Sequence, residues 1–450
     1  MSKNEIDTIP KLDWRYSKEW GACLFAGYMI LAVLPVILGY ALAEPDTTYG
    51  PITTLVILGE ICGLTGFSIL ALQVALAGRF KFIDQPFGLD QAMWFHKLMA
   101  IVGGVLLLLH PVFFAVNARS MILFIGEVSW KVQIARIALV LLIATVVSSL
   151  LLKQLHFQYQ VWRFLHKSVV FILILGFIHS ILIGHQIYNT FAMQVYWWAL
   201  FAIVTLIFMY RNLYVPAWGR RKFKVSSVEQ ATYDTYTLKL EPEDDKPLVH
   251  HPGQFMFIKL KRPGRKSEQH PFTIASSPTG EMPLTVTIKK SGDFTNSISE
   301  TVSGDKALIE APFGRFSFLH DNPQKFIFIA GGVGVTPIMS MLRYLRDTGD
   351  KRKALLIYGN KTEKDIIFRD ELEKMSDWLK IVYIMSAPDQ QWKGARGYIT
   401  GEFLKKNAGD MLTDAHVYLC GPPIMMTKVS AELRSLGMPN ERIHFEFFSI

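Results

Sequence analysis

The sequence predicts a multidomain chain: an all-α six-helix transmembrane bundle, then an antiparallel β-barrel and an α/β domain. Three observations predict it: a step in charge density, six long apolar stretches, and a switch to short strands beyond residue 220. Of the 450 residues, half are hydrophobic and the formal net charge is +9. Residues 1–219 carry 24 charged side chains and residues 220–450 carry 61. Positive mean hydropathy (+0.25) at this length excludes a disordered chain or a small disulfide scaffold. The three cysteines, Cys23, Cys62 and Cys420, form no CxxC pair, so zinc ribbons and cysteine-ligated iron–sulfur clusters have no support.

A polar segment, 1–19, precedes the first apolar run, which is too long for a signal-peptide core. Apolar stretches at 20–43, 52–77, 92–117, 131–152, 164–188 and 193–211 each reach the roughly 20 residues that cross a bilayer. An even number puts both ends on one side. That side holds Lys3, Lys11, Arg15, Lys18, Arg79, Lys81, Lys153, Arg163, Arg211, Arg220, Arg221 and Lys222; the other holds little beyond Arg119 and Lys131. The positive-inside rule makes the richer side cytoplasmic, so both termini and the second half are expected in the cytoplasm of a cell-membrane protein. The +9 is therefore no nucleic-acid footprint. The basic Arg211–Lys224 segment is expected to join the halves and to meet anionic lipid headgroups.

Ionisable residues inside spans default to function. Span three has His96 and His110, and span five has His166 and His179, at matching depths. The spacings of 14 and 13 residues correspond to about 21 and 20 Å of helix. Both spans run outward, so the histidines form two rungs, His96 with His166 and His110 with His179. Two imidazoles on opposite faces of one iron are what a six-coordinate haem needs. A step of 14 falls about 40° short of four turns, but a step of 13 falls about 140° short. Span five must therefore be distorted, with Gly176 the candidate position, or its haems must lean on different sides. Arg136 reads as a snorkelling anchor or as a positive charge above the outer rung. His185 reads as interfacial or substrate-facing, and His156 as a solvated loop residue.

Beyond residue 220, segments such as 224–228, 236–240, 254–259 and 284–289 alternate as antiparallel strands of a barrel spanning 220–322. From 323 to 450, apolar runs at 326–330, 354–358, 381–385 and 417–419 read as buried parallel strands between helices. The membrane domain is expected over 20–215.

Four motifs carry chemistry. In His270-Pro271-Phe272-Thr273-Ile274, an aromatic ring can stack on an isoalloxazine and a hydroxyl can reach its N5 edge. In Lys289–Thr295, Lys289, backbone amides and Thr295 can hold a diphosphate at a helix start. Gly331–Pro337 follows a buried strand, and its glycines let a backbone approach a pyrophosphate at a helix that begins near Pro337. Its GxGxxP spacing departs from GxGxxG. Cys420-Gly421-Pro422-Pro423 puts a small polarisable side chain at the carboxyl edge of a parallel sheet.

In this order the residues resemble the ferredoxin-NADP reductase superfamily, with Tyr358-Gly359-Asn360-Lys361 similar to its adenosine-side strand end and Phe445–Phe448 to its terminal aromatic segment. The first half resembles the six-span ferric reductase domain. The whole chain is similar to the family uniting ferric-chelate reductases and superoxide-forming NADPH oxidases, without a calcium-binding loop. The resemblance implies FAD, NADPH (or NADH, with a lean to NADPH through Lys361) and two b-type haems on His96, His110, His166 and His179. It implies Phe272 near the flavin, Thr273 at N5, His270 towards the ribityl phosphate, and Gly292 and Thr295 at the diphosphate. Gly332, Gly334 and Thr336 would line the pyrophosphate, Cys420 would stand at the hydride-transfer position, and Phe448 or Phe447 would shield the flavin.

The expected acceptor is an extracytoplasmic ferric chelate, with dioxygen the alternative. Some oxidase relatives carry a further histidine four residues after the outer ligand, where this chain has Phe114. Rival readings are a b-type carrier subunit serving a quinone or a partner protein, and a six-span channel with a redox-sensing domain. No partner subunit is implied.

Overall fold

The computed structural model describes residues 17–41, 53–152, 154, 159–279 and 283–446. His156, Phe447, Phe448 and nearly all of the 1–19 segment lie outside the described residues. The chain divides into two compact units. One comprises Lys18–Ile83 and Gln91–Pro216, and the other includes Asp84–Asp90 and Ala217–Ile450.

Among the described residues, six helices are long and apolar enough to cross a membrane. They are built from α1 (Lys18–Ala41), α2 (Thr54–Leu76), α3 (Leu89–Ala118), α4 (Trp130–Leu150), the pair α5 (Tyr159–Lys167) and α6 (Val169–Ile183), and α7 (Phe191–Met209). Large apolar side chains such as Ile30, Phe164 and Phe191 face outward, as a lipid solvent requires. Thr53 caps α2 by accepting the Val56 N–H. Three glycines on α2 let α3 come close. A Cβ on Gly59 would lie 2.8 Å from Phe114, one on Gly63 2.6 Å from His110, and one on Gly66 3.0 Å from Leu107. Small residues at such a seam replace the missing hydrophobic drive between helices in lipid.

The distortion of span five falls at Ser168, not at Gly176. The Ser168 N–H donates to Leu165 O (3.0 Å) and the Phe171 N–H to Ser168 O (2.9 Å), both i→i−3 bonds. The Ser168 hydroxyl also donates to Leu165 O, at 2.6 Å. Tighter winding advances each residue by about 20° more than an α-helix, recovering part of the 140° shortfall. Gly176 serves a different need: its Cβ would lie 2.9 Å from the Phe67 ring.

The expected basic linker is not a separate segment. The last span continues through a π-helical turn (Tyr210–Tyr214) to Ala217, and β1 begins at Arg221. β1 (Arg221–Thr232), β2 (Thr235–Pro242), β3 (Phe255–Lys261), β4 (Gln269–Thr273), β5 (Leu284–Lys289) and β6 (Lys306–Phe313) form an antiparallel sheet in the order β4-β3-β6-β1-β2-β5. Its two edges meet where the Ala275 N–H donates to Thr285 O (2.9 Å). Val225, Leu238, Met256, Ile258, Ile274, Val286 and Ile309 fill the interior.

The third region holds β7 (Lys325–Gly331), β8 (Lys353–Asn360), β9 (Leu379–Met385), β10 (Ala395–Arg396), β11 (His416–Cys420) and β12 (Ile443–Phe445). They pair in parallel, in the order β10-β9-β8-β7-β11-β12. Phe326, Phe328 and Ala330 of β7 enter one core, and Ile327 and Ile329 the other. Burial on both faces explains the continuous apolar runs. Helix α8 (Val335–Asp347) follows β7, and α9 (Pro423–Ser435) follows β11. Because α8 starts at Val335, Pro337 is its third residue rather than its first. It still lies among the orphan N–H positions, where proline costs no helical bond. The strand order reverses between β7 and β11, and in open α/β sheets ligands bind in the crevice outside the strand ends at such a point.

Candidate functional site

In the helical unit, the structure brings the four predicted histidines together in the expected pairs. The His96 and His166 rings have centroids 6.2 Å apart with planes at 68°. The His110 and His179 rings are 6.4 Å apart at 85°. Two imidazoles bound through bonds of about 2.0 Å to one metal between them have centroids about 6.3 Å apart. Both gaps fit one iron.

In His110, His179 and His166 the second nitrogen is also engaged. His110 Nδ1 lies 2.8 Å from Gly59 O, and His179 Nδ1 lies 3.1 Å from Lys131 O. A carbonyl only accepts, so each Nδ1 carries the hydrogen and each Nε2 keeps a lone pair for a metal. His166 Nδ1 lies 3.4 Å from the Ser149 hydroxyl, which accepts the Trp162 indole N–H at 3.1 Å. Trp162 stacks on the His166 ring (5.1 Å). Phe114 packs edge-on to His110 (5.1 Å). Arg136 is held by main chain. Its guanidinium donates to Leu123 O (2.7 Å), Gly126 O (2.8 Å) and Ile122 O, tethering the turn before α4.

In the other unit, the first two motifs meet through a residue that the pattern reading did not select. Phe294, beside Gly292, stacks on His270 at 4.1 Å and lies 6.2 Å from Phe272. The buried Arg262 guanidinium covers its ring at 5.4 Å. Antiparallel pairing with β3 aligns Pro271 with Phe257 and Thr273 with Phe255. The Ile274 side chain belongs to the barrel core, leaving only its backbone to a ligand. Thr295 Oγ1 accepts the Ser291 and Gly292 N–H groups (2.9 Å each) and so shapes the turn itself. Lys289 stands between two carboxylates, 3.2 Å from Asp234 and 3.9 Å from Asp365. Burial pushes the Asp365 carboxyl up, but hydrogen bonds from Thr362 and Tyr233, with Lys289 nearby, hold it below the usual range.

At the crevice the β7–α8 and β11–α9 turns touch. A Cβ on Gly334 would lie 2.5 Å from Cys420 O and 2.7 Å from Gly421 Cα, and one on Gly331 2.8 Å from Pro422 Cδ. Gly332 differs: its φ is +52° and a Cβ there would meet nothing within 4 Å. Two glycines thus serve packing, and Gly332 serves backbone shape on the open side. The buried Thr336 hydroxyl donates to Val333 O (3.0 Å), and Tyr358 donates to Gly332 O (3.1 Å). Asn360 is buried at the end of β8, with exposed Lys361 next to it.

Cys420 is fully buried. Its thiol lies 3.9 Å from Glu446 O, and burial, with Glu446 nearby, pushes its pKa well up, so it stays a neutral thiol. Glu446 is a second residue that pattern reading missed. It is 8% exposed, and its Oε2 has no hydrogen-bond partner among the described residues. Burial, then Asp90 and Asp84, push its carboxyl well above the usual carboxylate range. A buried carboxyl thus stands near the thiol at the crevice. The only signal for it in the sequence was an acidic residue inside an aromatic terminal run.

The two units together define a membrane-spanning oxidoreductase with a flavin- and nicotinamide-binding module. Residues 62–177 match the ferric reductase like transmembrane component family, 218–337 an FAD-binding domain family, and 328–431 an oxidoreductase NAD-binding domain family. The chain thus carries a ferric reductase-like transmembrane component fused to FAD-binding and NAD-binding oxidoreductase domains. It is 28% identical over 231 residues to an NADH-cytochrome b5 reductase 1 of Candida glabrata, covering 49% of this chain and 81% of that protein. It is 30% identical over 238 residues to a glycine betaine monooxygenase reductase subunit of Pseudomonas aeruginosa, covering 51% of this chain and 64% of that protein. The CS-b5R domains of human Ncb5or in the NAD+ form align over 50% of this chain and 69% of that one, with 28% identity and a TM-score of 0.45.

Proposed function

We propose that the protein moves electrons from cytoplasmic NAD(P)H through FAD and two haems to a ferric chelate on the far side of the membrane. The observation that carries this reading is the pair of histidine rungs, 6.2 and 6.4 Å across. A bound flavin takes two electrons as hydride and releases them singly, which suits haem iron. His96 with His166 would hold the inner haem, and His110 with His179 the outer one. Gly59 O and Lys131 O fix the outer imidazoles with Nε2 presented. The shape of Gly332 admits the pyrophosphate backbone. Glu446 sets a buried carboxyl, its pKa pushed well up, beside Cys420. Phe114 gives the outer rung an apolar neighbour, supporting ferric chelate over dioxygen as acceptor. The basic loops support a cytoplasmic flavin module.

Purified protein fed NADPH should form ferrous chelate at a rate insensitive to superoxide dismutase. Cytochrome c reduction that superoxide dismutase abolishes, without ferrous chelate, would overturn the acceptor. For the donor, Lys361 offers a point charge to a 2′-phosphate. Lys361→Ala should raise the KM for NADPH roughly tenfold and leave that for NADH unchanged. Equal effects on both nucleotides in steady-state assays would remove this role.

A further inference from the structure

We propose that Asp321, His416 and His444 form a divalent transition-metal site in the nucleotide-binding domain, with Zn²⁺ as the fitting ion. His416 opens β11, and His444 lies in β12 opposite Tyr418. Asp321 ends the turn Phe318–His320 that precedes β7. His416 Nδ1 and His444 Nε2 lie 2.9 Å apart. Their rings are nearly parallel, with centroids 5.1 Å apart. Asp321 Oδ2 lies 3.5 Å from His444 Nδ1. One ligand atom from each of the three residues falls within 4.8 Å of the others.

His416 Nδ1 and His444 Nε2 share one hydrogen bond; two nitrogens of a tetrahedral site stand about 3.3 Å apart at bond lengths of about 2.0 Å, so an ion would displace the shared proton as the rings spread by about 0.4 Å. Tyr418 stacks on His444 at 4.7 Å and holds its plane. Arg442 and Arg315 also act on these rings, so the anionic Asp321 is needed to balance a dication. Two imidazoles and a carboxylate select Zn²⁺ over Mg²⁺ or Ca²⁺.

The site is not the nucleotide crevice. Cys420 lies four residues along β11, about 13 Å away. An ion there would tie the turn before β7 to β11 and to β12, the strand that leads into Glu446.

The test is equilibrium dialysis of the full-length, haem- and FAD-loaded protein, free of any affinity tag, against micromolar ZnCl2, followed by metal analysis. One zinc per chain is expected, with no magnesium uptake from MgCl2. His416→Gln and His444→Gln should each weaken binding roughly tenfold or more, with flavin and haem spectra unchanged. Should either variant lose its flavin, Asp321→Asn at the exposed member decides, and it should weaken binding several-fold. The absence of stoichiometric zinc, or uptake unchanged by these substitutions, overturns the site and leaves an Asp–His–His hydrogen-bond relay. Neither outcome bears on the electron acceptor.

Discussion

Replacing His179 with alanine is expected to leave about half the b-type haem per chain and to abolish reduction of an external ferric chelate. NADPH-driven reduction of ferricyanide by the flavin should continue, because the dehydrogenase residues are untouched. The reasoning starts from the rung. With one imidazole gone, His110 alone faces the space, 6.4 Å wide between ring centres, that two rings shared. The fold should survive. The substitution removes a hydrogen bond to Lys131 O worth about 1 kcal/mol, a small fraction of domain stability. His110→Ala should give the same spectrum, since each removes one side of the same pair. His166→Ala should instead deplete the inner haem. The check is a reduced-minus-oxidised spectrum with haem quantitation. An unchanged spectrum in both outer variants would refute the rungs.

The second large effect is expected at Gly334. Its missing Cβ faces backbone: Cys420 O at 2.5 Å, Cys420 C at 2.6 Å and Gly421 Cα at 2.7 Å. No rotamer change relieves a clash with main chain. In Gly334→Ala the β7–α8 and β11–α9 turns must part by about 1 Å to restore ordinary contact, a displacement that can cost 100-fold in rate. The kcat/KM for NAD(P)H with ferricyanide should fall roughly 100-fold, while the haem spectrum stays intact. Gly332→Ala separates packing from ligand approach. Its Cβ meets nothing, so the cost is about 1–2 kcal/mol of left-handed strain plus any obstruction of the dinucleotide. Equal activity of Gly334→Ala and wild type would show that the two turns do not set the crevice.

Much of this was legible in the sequence because each signal was periodic or local. Spans show as unbroken apolar runs, and β7 and β8 show as runs buried on both faces. The rungs show as equal depths on parallel spans. What could not be read was long-range or aperiodic. The Ser168 distortion has no hydropathic signature, whereas a glycine such as Gly176 stands out in the apolar run. Lys289 looked like a phosphate ligand because Asp365, 76 positions away, pairs with it only after folding. Phe294 and Arg262 became part of the flavin-side cluster only through packing. β12 is too short and too polar, around His444, to declare itself as a strand.

The main-chain acceptors of His110 and His179 carry a consequence for sequence drift. Every residue type supplies the same carbonyl, so position 131 can vary freely without disturbing how His179 is aimed. Position 59 is limited only by volume, through Phe114. The orientation of the outer pair is therefore insulated from most point mutations, and divergence among relatives should be tolerated at the partner positions far more than at the histidines themselves.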